Sequence, residues 1–90
     1  MNEDELIKAL AVVHIEYILV HPFREGNGRL SRLLATIMAL QAEQPILDFT
    51  YMDENKKAYF AAIQTGLDND GAMQEMFRQV LHESQQNAAD

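Results

Sequence analysis

The sequence predicts an all-α chain, a small helical bundle of about four helices. Apolar residues recur at helical spacing along most of its length, and strand-like alternation is weak throughout. Pro22, Pro45 and the Asn69–Asp70–Gly71 run interrupt that periodicity where helices have to stop.

The first helix is expected from Glu3 to Val20. Asn2, followed three residues later by Glu5, has the form of a capping box, and Asp4 and Glu5 suit the positive end of a helix. Leu6, Leu10, Val13, Tyr17 and Val20 share one face and are expected inward. Pro22 disfavours helical geometry at His21, so the helix ends there. A second helix starts near Asn27 or Gly28 and runs to about Ala42, with Leu30, Leu33, Leu34, Ile37 and Leu40 inward. Pro45 and ILDFT form a connection. Asp53 then caps a third helix through about Leu67, carrying Ala58, Tyr59, Ala62 and Ile63. A fourth helix covers about Ala72 to Glu83, with His82 complementing the dipole at its C-terminal end. The expected domain is 1–83, with a loop at 21–28 between the first two helices and a flexible tail at 84–90. Met38, Met52, Met73 and Met76 read as gap-filling core residues.

Composition narrows the function. Ninety residues allow one domain, and 48% apolar content argues against disorder. A net charge of −7 excludes a phosphate-backbone binding face, so no nucleic-acid partner is expected. The chain contains no cysteine, which excludes disulfides, a thiolate nucleophile and a cysteine zinc site. No apolar run reaches the roughly 18 residues of a membrane span, and MNEDELIK is not a signal peptide. A cytoplasmic location is the expectation. From Ala9 to Val20 only His14 and Glu16 are polar, and from Leu33 to Leu40 only Thr36 is. Helices apolar on every side need neighbours on every side, so a homo-oligomer is expected as well.

Against this acidic background, HPFREGNGRLSR at 21–32 concentrates three of the seven basic residues. Gly26 and Gly28 flank Asn27 just before the second helix, and glycines allow successive backbone N–H groups to face one concavity. The helix start adds unpaired N–H groups and partial positive charge, which together suit an anion. Arg29 and Arg32, three apart, lie on one side of that helix and can reach phosphate oxygens. Glu25 beside an anion makes sense if a divalent cation such as Mg²⁺ sits between carboxylate and phosphates. His21, at the end of the first helix, can accept a proton from an incoming hydroxyl. Phe23 should point inward and pin the loop. A plainer reading keeps Gly-Asn-Gly as a connector and pairs Arg29 with Glu25 on the surface. The joint presence of these residues favours the phosphate site.

The same twelve residues resemble the Fic family motif HxFx(D/E)GNGRxxR in full, through His21, Phe23, Glu25, Gly26, Asn27, Gly28, Arg29 and Arg32. Outside the motif the likeness is looser and extends over about 9–81. The resemblance implies a helical domain that transfers AMP from ATP to a Ser, Thr or Tyr hydroxyl of a target protein. It implies His21 as general base and Glu25 as the Mg²⁺ ligand. It also implies Gly26, Asn27 and Gly28 on phosphate oxygens, with Arg29 and Arg32 on the β- and γ-phosphates. Gly28 argues against the phosphorylating branch, which has Lys there. Phosphocholine transfer, AMP removal and a non-catalytic nucleotide- or partner-binding module remain open at this level. The chain is shorter than a typical Fic domain and shows no hairpin flap before the motif. TYMDEN at 50–55 fits the letters of the family's inhibitory helix, (S/T)xxxE(G/N), but its place between two helices reads better as a helix start. Restraint by a separate inhibitory protein is then an open expectation. His14, seven residues before His21, has the wrong spacing for a zinc pair and is expected to be a buried, hydrogen-bonded histidine. Tyr59 and Phe60 are expected in the core.

Overall fold

The computed structural model describes residues 2–20 and 27–89, which form five α-helices. They are α1 (Glu3–Val20), α2 (Asn27–Gln41), α3 (Thr50–Glu54), α4 (Lys56–Thr65) and α5 (Gly71–Ala89). There is no strand among the described residues, as the all-α expectation requires.

Helix α1 begins where its capping box dictates. The Glu5 amide donates to Asn2 Oδ1 at 2.8 Å and the Asn2 amide to Glu5 Oε1 at 3.2 Å. It packs against α2, α4 and α5 and is the central element of the bundle. Its buried residues are Leu6, Ile7, Leu10, Ala11, His14 and Ile15. The expected face is therefore corrected: Val13 and Tyr17 are only half-buried and Val20 is exposed. A helix that is apolar nearly all round has no polar side to fix its rotation, and here three neighbours fix it instead.

The correction at α2 is larger. Ser31, Ala35 and Ala39 are buried, whereas Leu30, Leu33, Ile37 and Leu40 are exposed by 51%, 55%, 43% and 48%. Among the described helices, the backbone of α2 comes close to α1 alone. Small side chains on the contact face permit short axis-to-axis distances, so α2 turns its alanines inward and its leucines out. The Ser31 hydroxyl donates to the Gly28 carbonyl at 2.8 Å, which removes the cost of burying it.

The end of α2 is a Schellman cap. Gln44 N–H donates to the Ala39 carbonyl at 2.9 Å and Glu43 N–H to the Leu40 carbonyl at 3.0 Å. Glu43 takes φ 65°, the left-handed region that suits glycine.

The expected third helix is two. α3 starts at Thr50, whose amide and hydroxyl both donate to Asp48 Oδ1. Asp53 lies within α3 and is not a helix cap. Asn55 (φ −126°) interrupts the path before α4, and its side chain donates to the Tyr51 carbonyl at 2.8 Å. Phe60 is exposed, against expectation. Helix α5 continues to Ala89, past the expected end near Glu83. Ser84 is buried, accepting from the Asp48 amide at 2.8 Å and donating to the Val80 carbonyl at 2.6 Å. Asn87 donates to Asp48 at 2.8 Å and Gln85 to Gln44 at 3.0 Å, so the last turns of α5 hold the 42–49 connection. His82 accordingly lies inside the helix, bonded to Gln86, rather than at its end.

The core joins α1 to α5 through Phe77, Val80, Leu81, Met73 and Met76, with Met52 of α3 between. Met38 lies at its margin, so the methionines fill the interior as expected. Gly66, just after α4, lies against Ile15. A Cβ built there would meet three Ile15 side-chain atoms at 2.6–2.9 Å, and Ile15 is itself buried. We therefore expect Gly66→Ala to destabilise the chain by about 1–3 kcal/mol in urea unfolding. Glu43→Gly should stabilise it by about 0.5–1 kcal/mol, because the left-handed turn then carries no Cβ.

Candidate phosphate site

Helix α2 starts at Asn27, where the sequence places it. Helical geometry leaves the first N–H groups of α2 without intrahelical acceptors and gives that end a partial positive charge. The two long N-terminal helix ends of the first half of the chain differ in character. The first turn of α1 carries Glu3, Asp4 and Glu5, while that of α2 carries no acidic residue. Among the described residues, the positive end of α2 has no carboxylate of its own, and Arg29 stands in its first turn. A Cβ built at Gly28 meets nothing within 4 Å, so the space over the helix start is open among the described residues.

His21, Glu25 and Gly26 lie outside the described residues, as do Phe23 and the side chain of Asn27. The inward Phe23 and the Glu25–Arg29 surface pair therefore stay expectations. Of the described motif residues, Arg29 is exposed and Arg32 is half-buried on the flank of α2. Arg32 is held from two sides. Its Nη2 lies 2.6 Å from Asp53 Oδ1 and its Nη1 3.4 Å from Oδ2, while the guanidinium sits 5.0 Å from the centroid of Phe49. The Arg32 hydrogen bond keeps the Asp53 carboxyl below its ordinary value. Two of the five guanidinium N–H groups face Asp53, which leaves donors for a second anion.

The Arg32–Asp53 pair was not legible in the sequence. TYMDEN does begin a helix at Thr50, but the acid that reaches Arg32 is Asp53, not Glu54 of the pattern. Among the described residues no cluster of three or more His, Asp or Glu could hold a metal ion. A hollow of about 450 Å³ lined by Leu6, Met38, Gln41, Ala42 and Glu43 lies at the opposite end of α2 and offers no cation to a phosphate.

Behind Arg32 lies a second polar group of the interior. His14 is buried in α1, with Nε2 2.6 Å from the Tyr59 hydroxyl and its ring edge-on to Phe77 at 5.3 Å. The expected buried, hydrogen-bonded histidine is found, with a partner forty-five residues away that no local spacing reveals. Nδ1 is buried with no partner among the described residues. Protonation would give that nitrogen an N–H without an acceptor. Burial first, and the positive Arg32 second, push the His14 pKa down from 6.5 to about 4. Burial likewise raises the Tyr59 pKa.

Residues 1–39 match the Fic/DOC family. The matched segment contains the motif at 21–32. Across 79 residues, 88% of this chain, it is 30% identical to the protein adenylyltransferases fic-1 of Caenorhabditis elegans and Caenorhabditis briggsae. It is 36% identical over 50 residues, 56% of this chain, to the protein adenylyltransferase Fic of Drosophila yakuba. The chain spans 15% of the length of the nematode relatives and 10% of the fly relative. No solved structure matches it. The Fic/DOC match ends within α2, so α3 to α5, including Asp53 and Tyr59, lie beyond it. No helix among the described residues is long and apolar enough to cross a membrane.

The buried imidazole gives a pH dependence with a defined sign. Its folded pKa, about 4, lies below the unfolded 6.5, so the unfolded chain binds the extra proton between these values. Its stabilising contribution is complete above pH 6.5 and declines as pH falls towards 4, by on the order of 3 kcal/mol in all. We expect urea unfolding to show this decline in the native chain and to lose that part of it in His14→Gln, the remaining acid sensitivity being that of carboxylates.

Proposed function

We propose that this chain is a protein adenylyltransferase of the Fic type, transferring AMP from ATP to a Ser, Thr or Tyr hydroxyl of a target protein. The observation that carries the reading is the start of α2: among the described residues, open space at Gly28, no acidic residue in the first turn, and Arg29 and Arg32 alongside. The family match and the names of the relatives support the same chemistry.

In this reading Gly26, Asn27 and Gly28 offer backbone and amide donors to phosphate oxygens, and Arg29 and Arg32 neutralise the β- and γ-phosphates. His21 takes the proton of the target hydroxyl. The hydroxyl oxygen then bonds to the α-phosphorus, the α–β bridging bond breaks, and pyrophosphate leaves with its negative charge held by the arginines. Positioning and charge neutralisation supply most of the rate in such transfers. The acidic residue suited to a Mg²⁺ ion is Glu25; the ion, when bound, would offset phosphate charge.

Incubating the chain with Mg²⁺ and either α- or γ-labelled ATP, with and without cell lysate, tests the proposal. Label should pass to protein from the α-phosphate only and disappear with His21→Ala. Label from the γ-phosphate would mean phosphorylation, and ATP binding without label would mean a nucleotide-binding module. Arg29→Ala should weaken ATP binding about tenfold or more while affecting AMP binding less, measured by calorimetry. Equal losses would contradict the role given to Arg29.

A further inference from the structure

The outward face of α2 has a regularity that the bundle does not use. Leu30, Leu33, Ile37 and Leu40 are separated by three, four and three residues, the spacing of two successive heptads with apolar a and d positions. All four are about half exposed, on the side of α2 opposite Ser31, Ala35 and Ala39. The helix that presents them is already ordered by its contact with α1, so docking on this seam need not pay for helix formation.

We propose that this seam is the interface of a two-fold dimer in which α2 of one copy packs antiparallel to α2 of a second. Charge decides both the occupant and the direction. The chain has 14 Asp and Glu residues, but α2 (NGRLSRLLATIMALQ) contains none, so this contact brings no carboxylates of the two helices together despite the net charge of −7. Parallel packing would set Arg29 and Arg32 of both copies, and both positive helix ends, side by side. Antiparallel packing sets each basic end beside the carbonyl end of its neighbour, where Glu43 follows. The heptad spacing is self-complementary in that direction, with Leu30 opposite Leu40 and Leu33 opposite Ile37. At about 1.5 Å per residue, Leu30 and Leu40 of one helix lie roughly 15 Å apart, so the two helix starts lie at opposite ends of the seam.

Sedimentation equilibrium of the full chain between roughly 10 µM and 1 mM should show a monomer–dimer equilibrium. Leu33→Glu places a charge at an already exposed position and should weaken the dimer roughly 100-fold, since two leucines are lost per dimer. Ile37→Gln, a neutral change, should act in the same direction, with circular dichroism verifying that both variants remain helical. Because the chain has no cysteine, a Leu30→Cys/Leu40→Cys variant can be oxidised and its cross-linked peptides mapped. A 30-to-40 intermolecular link is expected. A monomer across the whole range would overturn the proposal and assign the seam to a different partner. A dimer indifferent to both substitutions, or one linked 30-to-30, would overturn it equally.

Discussion

Ser31, Ala35 and Ala39 let the backbone of α2 lie close along α1, and that approach sets the rotation of α2 about its own axis. Once the rotation is fixed, every other residue of the helix has its place. Arg32 falls on the flank where Asp53 and Phe49 can hold it. Among the described residues nothing crowds Gly28, Arg29 is exposed, and the four large apolar residues face outward. A bulkier residue at 35 or 39 would move the motif helix and therefore the site, although neither position touches a phosphate.

The polar groups near the site form a graded series from water to interior. Asp53 is exposed, Arg32 half-buried, Tyr59 half-buried and His14 wholly buried. Arg32 acts on both ends of the series, lowering the Asp53 pKa through a hydrogen bond and adding to the burial that keeps His14 neutral. A guanidinium is suited to this position because it can stack on Phe49 while bonding a carboxylate. Lysine at 32 would keep the charge but lose the two-pronged contact.

How much of this was legible in the sequence depended on whether the signal was local. The capping box and the start of α2 at Asn27 are decided within a few residues, and both were readable. The inward face of α2 was not. Side-chain size suggests leucines inside, but the helix has apolar residues on both faces, and close approach to α1 favours the small ones. The reach of Asp53 to Arg32 depends on partners 21 residues apart, and the His14–Tyr59 bond on partners 45 apart. Of the candidate site, the start of α2 was legible from the Gly-Asn-Gly turn and the apolar periodicity that follows it. The Asp53 and Phe49 supports of Arg32 had no sequence signal.

The contact between α1 and α5 joins the two extremes of the described chain. Asp4 bonds Arg78 at 3.1 Å, 74 residues away, and Lys8 bonds Asp70 at 2.8 Å, 62 residues away. Phe77, Val80 and Leu81 meet the face of α1 built from Ile7 and Leu10 in one core. The face of α1 that meets α5 is therefore covered only when segments some seventy residues apart come together, a long-range closure that α2 cannot replace from its own side of α1. Folding of the bundle should accordingly be slower than formation of its helices, since the α1–α5 contact has the greatest sequence separation to close.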